Sequence, residues 1–151
     1  MDIFGAVLAY LHFGAMALLA AMIAMELLYL RLGPNAKIIA AMWRVDIFYI
    51  GAGILALLSG ALRLGFSPKG VMFYVGNTLF WIKLILVGAL ALASFLNSQR
   101  YASWLHLART DSTFHPPASE VSLATLLVKI QIALLISIPI FAVLMVHGIR
   151  I

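Results

Sequence analysis

Apolar residues fall into four long stretches along this chain, at 3–30, 42–62, 78–96 and 121–146. Each reaches the roughly 20 residues that cross a bilayer as a helix. The weaker, alternating segments of a membrane β-barrel are absent. The pattern predicts an all-α fold, an integral membrane four-helix bundle. The breaks are well marked. Gly33-Pro34-Asn35 follows the first stretch, and Ser67-Pro68-Lys69-Gly70 with Gly76-Asn77 brackets the second loop. His115-Pro116-Pro117 precedes the fourth stretch, with Ser119 or Glu120 as a helix start signal. Short connections favour up-down-up-down order. The third connection is longer, and its Arg100, Tyr101, Trp104, His106 and Arg109 read as an interfacial continuation of the third helix. The expected helices are 3–30, 42–63, 78–97 and 120–147, with an interfacial segment at 98–115, in one transmembrane domain over 1–151.

Polar residues punctuate these helices at helical spacing. His12, Ala15, Leu19, Met22 and Glu26 step by 3 and 4 in the first. Asp46, Tyr49, Gly53, Ala56, Gly60 and Arg63 do so in the second, and Lys83, Val87, Leu90, Ser94 and Asn97 in the third. The fourth offers Lys129, Ala133, Ile136, Ile140, Val143 and His147. Such steps keep residues on one helical face, so each helix is expected to turn one seam inward with a polar residue near each end.

Composition agrees with this picture. Of 151 residues, 65% are hydrophobic and only 10% charged, against about 25% charged in an ordinary soluble domain. With no cysteine, iron–sulfur clusters, thiolate haem ligation and covalent haem attachment are all excluded. The net charge is +5, which in a membrane protein reflects anionic headgroups. No basic run or nucleic-acid motif accompanies it. The Met1-Asp2 start lacks the positive charge of a signal peptide, and the first apolar run is too long for one. Arg31, Lys37, Arg44, Arg100 and Arg109 fall on one side, against Arg63, Lys69 and Arg150 on the other. That bias puts the first and third loops in the cytoplasm and both termini in the periplasm.

Ionisable residues at membrane depth are functional-site candidates. Antiparallel neighbours sort them into two layers. At about 1.5 Å per residue, His12 and Glu26 lie roughly 21 Å apart along their helix. An inner layer is expected to hold Glu26, Arg44, Asp46 and Lys129, either as a compensating ion-pair cluster or as a proton or ion relay. An outer layer is expected to hold His12, Arg63 and Lys83, and His147 in addition, without a carboxylate at that depth; Asp2 reaches it only from the terminus. Two cations beside a histidine suit an anionic ligand. Haem b has an apolar ring, an iron that takes imidazole and propionates that take Arg or Lys. Gly53 and Gly60, with Ala15 and Ala56, would leave room for a flat ring. His12 is the candidate metal ligand and His147 the candidate second one, drawn inward by a kink at Pro139. The bland alternatives are a hydrogen-bonded helix contact for His12 and snorkelling for the cations. Phe66, Phe73, Tyr74, Phe80 and Trp81 read as an aromatic belt.

Several segments carry a resemblance. These are Leu11-His12-Phe13, Glu26-Leu27-Leu28, Arg44-Val45-Asp46, Ser59-Gly60-Ala61-Leu62-Arg63, Phe73-Tyr74 with Asn77, Phe80-Trp81-Ile82-Lys83-Leu84, and Ile138-Pro139 with Ala142, Met145 and Gly148. Over nearly the whole chain they resemble a bacterial family of predicted four-helix membrane proteins of unassigned function. The layout is also distantly similar to the HemJ-type protoporphyrinogen oxidases. In that resemblance His12 corresponds to a haem-ligand histidine and Lys83 to the lysine of a Trp-x-x-Lys-Leu-like run, with one residue fewer between Trp81 and Lys83 here. The chain lacks that family's Pro-Arg-Leu-Phe and Asn-Glu-x-Pro runs. The resemblance therefore implies haem and not porphyrinogen oxidation.

Three functions are open at this point. The first is a b-type haem protein of the bacterial inner membrane, an oxidoreductase or electron carrier with a redox partner. The second is an accessory or assembly subunit of a larger membrane complex, or a homo-oligomer. The third is a small proton-coupled transporter using Glu26, Asp46 and Lys129. No nucleophile–base pair, phosphate loop or zinc spacing is present, so any chemistry belongs to a cofactor.

Overall fold

The computed structural model describes residues 3–149. Asp2 and Arg150, which entered the reading of charge above, lie outside them. Four long helices form the bundle: α1 (Ile3–Leu32), α2 (Ala36–Gly65), α4 (Thr78–Thr110) and α5 (Ala118–Val146), with the short α3 (Val71–Val75) in the second loop. All four long helices are apolar and long enough to cross a membrane. At about 1.5 Å per residue they reach roughly 43–50 Å, beyond the roughly 30 Å hydrocarbon layer.

Local chemistry sets the ends. Gly33 takes the left-handed conformation (φ 85°) that closes α1, and Pro34 prevents its continuation. The Asn35 side chain accepts from the Lys37 and Ile38 amides at 3.1 Å each, capping α2. That cap starts α2 at Ala36, six residues before the expected 42. α5 begins at Ala118 after Pro117, which makes no side-chain cap bond, and Glu120 sits in its first turn instead of starting it.

Helix α1 packs along α2 and α4 along α5, and the two hairpins meet through α2–α4 and α1–α5. This ring of sequence neighbours is compatible with up-down-up-down order. The main core gathers Leu19, Ile23, Ile39, Met42, Tyr49, Tyr101, Trp104 and Val128, while Leu79, Phe80 and Met145 form a smaller one at the opposite end. At that second end two side chains reach across to backbone. Lys69 Nζ donates to the Val146 carbonyl at 2.9 Å. Asn77 Nδ2 donates to the Ile149 carbonyl at 3.0 Å while its Oδ1 caps α4 at Leu79.

Two expectations need correction. The 98–115 segment is not interfacial throughout. Helix α4 continues to Thr110, with Tyr101 and Trp104 buried in the core while His106 and Arg109 are exposed. On α5 the Lys129–Ala133–Ile136–Ile140–Val143–His147 stripe faces outward. The buried stripe is Ala124, Val128, Gln131, Ile138 and Met145. This helix is apolar all round, so its hydrophobicity selects no face. Its long polar side chains gain by reaching toward headgroups or water.

Candidate functional site

Glu26 arrives on the inward seam of α1, Asp46 and Tyr49 on α2, Ser98 and Tyr101 on α4, and Gln131 on α5. Glu26, Asp46 and Gln131 are each only 1% exposed, and Tyr101 is fully buried. The Tyr101 hydroxyl donates to Glu26 Oε2 at 3.2 Å, and the Ser98 hydroxyl to Asp46 Oδ1 at 2.9 Å. Among the described residues, four buried side-chain atoms have no hydrogen-bond partner: Glu26 Oε1, Asp46 Oδ2, the Tyr49 hydroxyl and, on α5, Gln131 Nε2. The Tyr49 phenol lies within electrostatic range of both carboxylates. A buried polar group without a partner costs about 1–3 kcal/mol, so stability alone gives no reason to keep this cluster.

The expected counter-ions are elsewhere. Arg44 is exposed and donates to its own helix at the Ala40 carbonyl. Lys129 is exposed on the outward face of α5. Glu26 and Asp46 thus form the inner layer without Arg44 or Lys129, and an internal ion-pair cluster is replaced by a carboxylate cluster held by hydroxyls. Ser98, Tyr101 and Gln131 went unnoticed as site residues. Uncharged polar residues on an apolar helix carry no signal of their own, and their partners stand on other helices, 52 and 75 residues away for Ser98 and Tyr101.

The second layer is built around His12, half-buried between α1 and α2. Its Nδ1 lies 2.9 Å from the Ala56 carbonyl and 3.2 Å from the Ser59 hydroxyl. A carbonyl only accepts. The Ser59 hydroxyl already donates along α2, with the Leu55 carbonyl at 2.6 Å. Nδ1 therefore carries a proton, and in the neutral ring the lone pair is at Nε2. Gly60 permits this placement, since a Cβ there would stand 3.1 Å from His12 Cε1. Arg63 and Lys83 are close enough to act on the imidazole. The Arg63 guanidinium lies 5.1 Å over the Phe13 ring and is exposed, and Lys83 Nζ lies 5.7 Å from the Phe80 ring centre, half-buried.

The small residues do not leave a gap here. Gly60 faces the imidazole itself, and a Cβ on Gly53 would meet Leu19 at 3.9 Å. His147 is not drawn inward. It is exposed, and its Nδ1 bonds the Val143 carbonyl one turn back at 2.9 Å. The aromatic belt divides as well. Phe66 and Trp81 are exposed, while Phe80 is core and Tyr74 bonds Ser67 at 2.9 Å. Among the described residues no group of three or more His, Cys, Asp or Glu stands ready to hold a metal ion.

A family model for predicted membrane proteins, DUF2214, matches residues 4–150. The chain belongs to this family. Comparison with curated proteins and with solved structures gives no match. The DUF2214 chain is thus a membrane protein whose apolar helices contact lipid. The match spans both polar layers.

Proposed function

We propose that this DUF2214 protein binds haem b, with His12 as a ligand to iron, and works as an oxidoreductase or electron carrier of the bacterial inner membrane with both termini in the periplasm. The observation that carries the reading is the His12 Nδ1 proton held on the Ala56 carbonyl, which leaves Nε2 as a donor. A backbone acceptor behind a ligating histidine fixes its tautomer and raises its basicity. Arg63 and Lys83 beside it suit the two propionates. Bound haem supplies one-electron chemistry; the chain supplies one imidazole, two cations and an apolar surround. Purified protein is expected to show a Soret band and reducible b-type bands, lost in His12→Ala and weakened in Arg63→Gln. A folded wild type that stays colourless after haem addition would overturn the reading.

One observation favours a second reading, an accessory subunit of a larger complex. Gly14, Ala17, Ala20 and Ala24 are exposed on α1, and a Cβ on Gly14 would meet nothing within 4 Å. The three alanines border an apolar cavity of about 430 Å³ between α1 and α5, lined also by Met16, Ile136 and Pro139. Small residues let another helix approach closely. Cross-linking from cysteines placed at Ala17 and Ala20 should trap a transmembrane partner, and only lipid adducts would dismiss this reading.

A further inference from the structure

The carboxylates of the inner layer have no part in the haem reading, and their geometry calls for its own account. Three helices converge there. Helix α1 contributes Glu26, and α2 contributes Asp46 and Tyr49. Helix α4 contributes Ser98 and Tyr101. The cations nearest in sequence are turned away or otherwise engaged. Arg31, Arg44 and Lys129 are exposed, and Arg100, within electrostatic range of the Tyr101 hydroxyl, donates to Asn97 Oδ1 at 3.3 Å. One oxygen of each carboxylate is held by a hydroxyl donor, Tyr101 for Glu26 and Ser98 for Asp46. The other oxygen of each is buried and unpartnered. The Tyr49 hydroxyl, 4% exposed through its residue, is also unpartnered and within electrostatic range of both acids.

The number of donors decides what such a site takes. Calcium needs six to eight oxygens and magnesium a near-octahedral set. Here three oxygens lack partners, Glu26 Oε1, Asp46 Oδ2 and the Tyr49 hydroxyl. No metal-holding group of three or more acids or histidines exists among the described residues. A proton asks for less, one oxygen to bond and one to accept. Carboxylates inside membrane helices that face the bundle interior are usual parts of proton relays.

We propose that Glu26 and Asp46, with the Tyr49 hydroxyl, form an intramembrane proton-binding site, in which a proton from water adds to a carboxylate oxygen and is later released. One O–H bond forms and breaks, and no oxidation or other bond change is involved. Tyr101 and Ser98 hold the two carboxyls in place, and the free oxygens receive the proton. The proposal stands whether or not haem is bound.

Infrared difference spectra of the full chain in lipid vesicles, cycled in pH, test it. The wild type should show a protonated-carboxyl stretch that rises and falls with pH and shifts in heavy water. Glu26→Gln should remove that band or Asp46→Asn should, and Tyr49→Phe should shift its position. Replacing potassium by sodium at fixed pH should leave it unchanged. A wild type with no such band overturns the proposal, as does a band untouched by all three substitutions. Loss of the band on adding sodium reassigns the site to a metal cation and overturns it equally. The wild-type spectrum and Tyr49→Phe keep the test decisive if the acid variants fail to fold.

Discussion

The two polar layers of this bundle solve opposite problems. Around Glu26 and Asp46 the charges are closed in, and among the described residues only hydroxyls bond the acids. Around His12 the cations stand at the rim, half or fully exposed, and aromatic rings are their nearest company. The inner layer is packed against the larger core, with Trp104 and Tyr101 beside it. The outer layer rests on one imidazole lodged against Gly60. A dense interior can hold polar groups that water would otherwise satisfy, because surrounding packing stabilises what they destabilise. An open layer keeps its charged groups available to a ligand.

That contrast can be broken most forcefully by Trp104→Ala. It empties a site that is 1% exposed and removes the 2.6 Å bond to Glu120. Losses of about 3–5 kcal/mol are typical of such truncations. Trp81→Ala, at a residue 52% exposed, should change stability far less. Equal losses in thermal unfolding of the detergent-solubilised protein would erase the distinction between dense and open halves. Ser98→Ala comes next. It leaves Asp46 with no hydroxyl donor, and about 1–2 kcal/mol is expected from bonds of this kind at membrane depth. An unchanged midpoint would mean that the Ser98 bond does not hold the acid.

A glycine pair sharpens the outer side. Gly51 faces open space, so Gly51→Ala should gain about 0.5–1 kcal/mol from the stiffer helix. Gly60→Ala should gain nothing, because its Cβ would press on a ring pinned by Ala56 and Ser59. Matching gains at both positions would show the imidazole free to move. The smallest effects belong to Arg44→Gln and Lys129→Gln. Surface changes of this type usually stay within about 0.5 kcal/mol. A loss several times larger in either unfolding curve would put a cation back beside the acids.

How much of this was legible in the chain depends on which physical signal each residue carries. The four spans follow from apolar run length, and the α1 seam from His12 to Glu26 follows from polar residues on a mostly apolar face. Helix α5 could not be oriented that way. Lys129 and His147 marked a stripe, yet long or terminal polar groups reach outward while Gln131 turns in. Tyr101 and Trp104 read as part of an interfacial segment in sequence, because position alone does not separate a ring at an interface from one packed in a core. The earlier start of α2 was available in Asn35, whose side chain binds two amides. The missing counter-ions of Glu26 and Asp46 were not readable, since that absence depends on how four helices rotate against one another.

The ties made by Lys69 and Asn77 have a consequence for variation in this family. Both grip carbonyl oxygens, at Val146 and Ile149, and not side chains. Any amino acid offers that oxygen, so the letters at 146 and 149 are free to drift without loosening the grip. Spacing is another matter. Inserting or deleting one residue between α5 and Ile149 would carry the oxygen out of reach, so this corner of the protein should evolve by exchange of residues and resist changes of length.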